Sequence, residues 1–138
     1  MTYSLKIQMR YTDFDPQINV NHMYYDSYIE LTYLTFLREE VNPAWHFGNV
    51  RVQLYEKKND KHPLPILPDS VPVVELSLLD IGHAHFTFLT RIYDERTPER
   101  IYFEGERKLV HVKWPERKAG RLPAECVGKI KQFFHHNN

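Results

Sequence analysis

Asp15, Asn21, His22 and Tyr25 fall close together in the stretch Tyr11-Thr-Asp-Phe-Asp15-Pro-Gln-Ile-Asn-Val-Asn21-His22-Met-Tyr-Tyr25. The carboxylate follows an alternating segment and precedes a long apolar one. A helix that starts near His22 offers backbone N–H groups with no intrahelical partner, and these polarise a carbonyl. A carboxylate beside them supplies a base or a nucleophile. The chemistry this suits is attack on a carbonyl whose oxygen gathers negative charge. Taken alone, the local sequence favours a plainer role for Asp15, because Asp before Pro16 is a common turn signal.

The elements around these residues follow from periodicity. Tyr3, Leu5, Ile7, Met9 and Tyr11 alternate with polar residues, which predicts a half-buried strand over 3–11. From about 22 to 40 there is neither Pro nor Gly, and apolar residues occupy more than one helical face, as in a helix enclosed by its fold. Asn21 is the N-cap candidate and Asn42-Pro43 the stop. Further strands are predicted from Val50, over 71–79, over 84–94 and over 100–113, the last two linked by the turn Arg96-Thr-Pro-Glu. The Pro-containing stretch 56–70 reads as a connection that cannot be a central strand. It is either a lid or a decorated surface loop. This order predicts class α+β, an antiparallel β-sheet wrapped around a long central α-helix, as one domain over 1–138.

Composition narrows the function. Eighteen Lys plus Arg balance eighteen Asp plus Glu, which argues against nucleic acid or an acidic membrane as a partner. The lone Cys126 cannot form an internal disulfide, and no apolar run approaches the roughly 20 residues of a membrane span. With no signal-like apolar segment near Met1, the expectation is a soluble cytoplasmic protein.

Over about 5–122 the chain resembles the hotdog-fold acyl-CoA thioesterases of the 4-hydroxybenzoyl-CoA type. The resemblance rests on Arg10-Tyr11 through Glu30, with Asp15, Asn21, His22, Tyr25 and Glu30 at the motif positions. Weaker echoes are 69–79, Gly82-His-Ala-His-Phe-Thr-Phe and Glu104-Gly105-Glu106. It implies hydrolysis of an acyl-CoA, or acyl-carrier-protein, thioester. Asp15 would be general base or nucleophile, and the His22 backbone N–H would polarise the carbonyl. Asn19, Asn21, Tyr25 and Glu30 are the implied substrate-binding positions. The resemblance also implies a homodimer, extending to a homotetramer in some arrangements, and no metal or organic cofactor. A non-catalytic hotdog module that binds an acyl thioester or a partner is the alternative. Ile18-Asn19 stands where many relatives carry Gly-His, and His83-Ala84-His85 where they carry Arg-Ser-Ser.

Other residues have plainer readings. The His22 side chain is either an acid–base group or a polar first-turn residue. Glu30 is a solvent-facing charge or, by preference, a buried partner of the site. Tyr24, Tyr25 and Tyr28 suit helix packing. His83, His85, His135 and His136 lack the companions of a metal site. Lys57, Lys58 and Lys61 suit a solvated loop better than the phosphates of coenzyme A. Cys126, in a late helical segment, has no activating neighbour.

Overall fold

The computed structural model describes residues 1–43, 50–113 and 115–135; His136 lies outside them. In chain order the elements are β1 (Tyr3–Lys6), a 3-10 turn (Tyr11–Asp13), α1 (Met23–Phe36) with a π-helical turn continuing it (Leu37–Val41), β2 (Val50–Lys61), β3 (Pro72–Ile81), β4 (His85–Asp94), β5 (Ile101–Lys113), β6 (Lys118–Ala119) and α2 (Ala124–His135). The strands form one antiparallel sheet in the order β1-β3-β4-β5-β2, with β6 paired to β5. The expected α+β architecture, a curled sheet against one long helix, is present.

Alternation decides which face of the sheet is inside. Along β4, Phe86, Phe88, Thr90 and Ile92 are buried, and along β5 Phe103, Gly105, Arg107, Leu109 and His111 are buried. Against that face α1 buries Tyr25, Tyr28, Ile29, Thr32, Tyr33 and Phe36. The Phe36 ring touches Tyr3 at 5.2 Å, Phe88 at 6.0 Å and Phe134 at 5.1 Å, so it joins β1, β4 and α2. Each aromatic or aliphatic side chain buried this completely stabilises the fold by about 1.5–3 kcal/mol. Thr32 and Thr35 sit within the helix because their hydroxyls donate to the carbonyls of Tyr28 and Leu31. The helix closes where Asn42-Pro43 requires: Asn42 is extended, and its amide reaches five residues back to the Leu37 carbonyl.

Enclosure of α1 is incomplete. Met23 is 72 % exposed and Leu31 53 %. Glu30, expected among buried partners, also faces outward. These positions share the side of the helix turned away from the sheet.

Two expected boundaries move. The strand predicted over 3–11 stops at Lys6. Beyond it the Asp13 carboxylate binds the Arg10 amide at 3.0 Å and the Arg10 Nε at 3.1 Å, and this draws the chain into the 3-10 turn. The connection predicted over 56–70 is a strand as far as Lys61, because its prolines begin only at Pro63. β2 lies at the sheet edge, where charged residues and bulges are tolerated, and its register shifts around Tyr55 and Asn59. Asn59 takes a left-handed φ of 58° at the second shift.

One ionic cluster ties this edge to the helix. Arg107 of β5, 2 % exposed, donates to both oxygens of Asp60 at 2.6 and 3.0 Å and to Asp26 of α1 at 3.0 Å. Burial works against the charge on Arg107, but Asp60 and Asp26 outweigh it and raise the pKa further. Lys57 completes the cluster on Asp26 at 2.8 Å, which makes it a structural ion rather than a free one. Gly105 leaves the room: a Cβ there would stand 2.3 Å from Asp60 Oδ1 and 2.8 Å from the Phe103 ring.

Candidate active site

Asp15 sits at the base of a small hairpin closed by a bridge between Phe14 and Val20. Its amide donates to the Asn19 carbonyl at 2.8 Å. Its Oδ1 accepts from the Gln17 amide at 2.9 Å and the Asn19 amide at 3.1 Å. The carboxylate therefore builds its own turn, and the turn reading of Asp15 is correct as far as Oδ1 goes. Oδ2 has no donor among the described residues. Asn19 contributes through its backbone, on both sides of this turn.

The hairpin requires a left-handed residue, and Ile18 supplies it at a φ of 62°. The sequence places Ile here without the freedom of glycine, yet the turn is made all the same. A β-branched residue in this region costs roughly 1–2 kcal/mol, of which glycine's greater unfolded-state freedom would return a part. Ile18→Gly is therefore expected to stabilise the chain by up to about 1 kcal/mol, read as a higher urea midpoint. A lowered midpoint would mean the Ile18 side chain holds more than its backbone strain costs.

The helix start faces this hairpin. The Asn21 amide donates to the Asp13 carbonyl at 3.0 Å and the Val20 amide to the Ile66 carbonyl at 3.0 Å, so the loop and the helix entry are held together. Asn21 caps as expected, two residues before Met23: its Oδ1 accepts from the Met23 amide at 3.0 Å and its carbonyl from the Tyr24 amide at 2.9 Å. Between these occupied groups, the His22 N–H has no acceptor among the described residues. It is a pre-oriented donor at the positive end of α1. The His22 ring is exposed, and Tyr25 below it is 1 % exposed with its hydroxyl accepting from the Ile66 amide at 3.4 Å.

Two residues that the sequence did not single out complete the surroundings. Asp13 is fully buried beneath the hairpin and accepts from the Tyr28 hydroxyl at 2.6 Å as well as from Arg10. Burial alone would raise its pKa, but the hydrogen bonds from Tyr28 and from the Arg10 backbone and side chain outweigh that and lower it. The same contact, added to burial, drives the Tyr28 phenol well above its ordinary range. His62, just past β2, lies parallel to His22 with ring centroids 4.3 Å apart. The signal for Asp13 was the Arg10-x-x-Asp13 spacing; His62 had no local signal.

Of the other histidines, His85 pairs with Asp80 at 3.2 Å, and exposed His83 borders a groove of about 600 Å3 with Arg121 and Lys131. Among the described residues no group of three or more His, Cys, Asp or Glu is arranged to hold a metal ion, and no helix is long and apolar enough to cross a membrane. Cys126 is buried in α2.

No family model matches the chain, and no curated protein matches it by sequence. Solved structures do. Slr0204, a 1,4-dihydroxy-2-naphthoyl-CoA thioesterase from Synechocystis, superposes with a TM-score of 0.78 at 16 % identity, covering 99 % of this chain and 98 % of that one. A thioesterase from Thermus thermophilus, complexed with coenzyme A and Zn, gives 0.77 at 17 % identity, over 94 % and 97 %. SAV2348 from Staphylococcus aureus, in complex with CoA, gives 0.87 at 9 % identity, over 100 % and 87 %. The chain has the hotdog fold. At these identities the hotdog likeness speaks for the fold alone, and chemistry must come from the site.

Proposed function

We propose that this protein is an acyl-CoA thioesterase. The observation that carries the reading is the His22 amide, left without an acceptor while the amides of Asn21 and Met23 on either side are occupied. A thioester carbonyl placed on that amide gains a donor whose effect grows as its oxygen becomes an oxyanion. Asp15 has one oxygen tied into its turn and one uncommitted, so the carboxylate can be held rigidly and still act. It either takes a proton from the attacking water or attacks the carbonyl carbon itself, the second route leaving an acyl–Asp15 anhydride that water then hydrolyses to the free acid and the restored carboxylate. Collapse of the tetrahedral intermediate expels the coenzyme A thiolate, which is a good leaving group and needs no strong acid. Thioesters of CoA are favoured over those of a carrier protein because the fold neighbours from Thermus thermophilus and Staphylococcus aureus were solved with CoA. The test is free-thiol release from a panel of acyl-CoAs, short to long and aromatic. Release from none of them, with an acyl-CoA still binding, would convert the reading to a non-catalytic hotdog module.

The active unit in this reading is a homodimer. Tyr11, Ile18, Met23 and Leu31 are exposed by 98, 61, 72 and 53 %, and all lie on or beside the Asp15 hairpin and α1. Leaving that much apolar surface in water around a substrate site is unfavourable, and a second copy would bury it. The expected result is a mass by light scattering of twice the 16.6 kDa chain, or four times if dimers pair. A 16.6 kDa species that still turns over acyl-CoA would refute the homodimer as the active unit.

A further inference from the structure

The residues between β2 and β3 do more than connect two strands. Ile66 is fully buried, with its carbonyl held by the Val20 amide at 3.0 Å and its amide held by the Tyr25 hydroxyl at 3.4 Å. At the other end, Asp60 is clamped by the buried Arg107, which also grips Asp26 one turn into α1. His62 lies between these two anchors. Its ring is nearly parallel to that of His22, 4.3 Å away with a 9° interplanar angle. Behind it stand Phe103 at 5.2 Å and Tyr25 at 5.5 Å. A flat ring fixed at both chain ends and backed by two aromatics is a built wall rather than a loop side chain at rest.

We propose that His62 is a positioning residue of this site, stacked on His22 so that the His22 ring and the amide it belongs to keep one orientation towards the substrate carbonyl. The proposal rests on the thioesterase reading for what the orientation serves. The charges facing His62 come from His22 just before α1, Asp26 of α1, Asp60 of β2 and Arg107 of β5; the Tyr25 phenol also faces it. The His62 residue is exposed overall, but desolvation of the ring side packed on Tyr25 and Phe103, with His22 and Arg107, favours a neutral ring; Asp60 and Asp26 oppose them, and the balance lowers its pKa. A neutral ring stacks on His22 whichever charge His22 carries. Protonation of His62 on acidification places a positive charge in the stack beside His22 and Arg107 and works against it.

Three variants test this. His62→Ala is expected to lower kcat on acyl-CoA by about tenfold, within the range of a small misplacement at a reacting centre, with KM changed less than about twofold. His62→Phe, a flat ring that cannot charge, is expected to restore most of kcat and to move the acid limb of the pH–rate profile downward. By NMR, the His62 ring should titrate below the ordinary histidine range and move up in His22→Phe. A wild-type kcat in His62→Ala, or a His62→Phe as slow as the alanine variant, would overturn the proposal. If the wild type hydrolyses no thioester, the functional reading fails but this one is still decided. Loss of the stack in His62→Ala must displace the His22 ring-proton shifts at unchanged melting temperature, and unmoved shifts would refute it.

Discussion

Asp15→Asn is expected to lower turnover on acyl-CoA at least ~100-fold while leaving the fold as it is. The substitution separates the two jobs of this side chain. Oδ1 accepts from the Gln17 and Asn19 amides and so shapes the hairpin, and an asparagine Oδ1 accepts from the same two donors. What disappears is the anion on the uncommitted oxygen, which in the proposed mechanism is the part that activates water or forms the acyl bond. Thiol release from the wild type and Asp15→Asn, measured side by side with the urea midpoint of each, checks both halves of the claim. Equal turnover would remove Asp15 from the mechanism, and a large fall in midpoint would return it to a turn residue whose loss merely disorders the loop. Asp15→Ala separates them again: it should be as inactive as the asparagine variant and less stable, because the Gln17 and Asn19 amides lose their acceptor.

What could be read in the sequence was what depends on near neighbours. β4 alternates strictly, so its inward face was legible residue by residue, and Asn42-Pro43 marked the helix end because a residue before proline leaves the helical region. Asn21 was recognisable as a cap, and the helix-start amide at His22 follows from that cap. What could not be read was decided by contacts across the chain. Arg107 meets Asp26 over 81 residues and Asp60 over 47, and nothing local says that a strand arginine will be drawn inward. The parity of β5 holds a clue, since Arg107 shares the face of Phe103 and Leu109. His62 looked like part of a hydrophilic run, and its importance arises only when β2 delivers it to α1. Glu30 was misplaced because an apolar helix was assumed to be enclosed on all sides, whereas its outward face is left for a partner in the dimer reading.

The second large effect concerns stability, and its source is Asp13. Asp13→Ala is expected to destabilise the chain by about 2–4 kcal/mol, because a buried hydrogen-bonded carboxylate is lost and its partners are left behind. The Tyr28 hydroxyl, 2.6 Å from Asp13 Oδ2 in the wild type, would be buried without an acceptor, and the Arg10 amide would lose its own. The pH dependence has a definite sign. The folded-state pKa of Asp13 is below its unfolded value of roughly 4, since the bonds from Tyr28 and Arg10 outweigh burial. Its contribution is therefore fully present above about pH 4 and is lost as pH falls through the folded pKa. Asp26 and Asp94 are shifted in the same direction, so the wild type should lose stability steadily with acid. Urea midpoints followed from neutral pH into the acid range would show a shallower decline in Asp13→Ala than in the wild type, so the gap between them narrows as pH falls. Parallel curves would mean that Asp13 contributes through shape alone. Because Asp13 also holds the helix entry by its backbone, through the Asn21 amide, the side chain that closes the 3-10 turn on Arg10 and the carbonyl that docks the helix start belong to one residue. The proposed site at Asp15 and the start of α1 would then depend on a buried neighbour two residues away, which has no part in the proposed chemistry but fixes where Asp15 and the helix start stand.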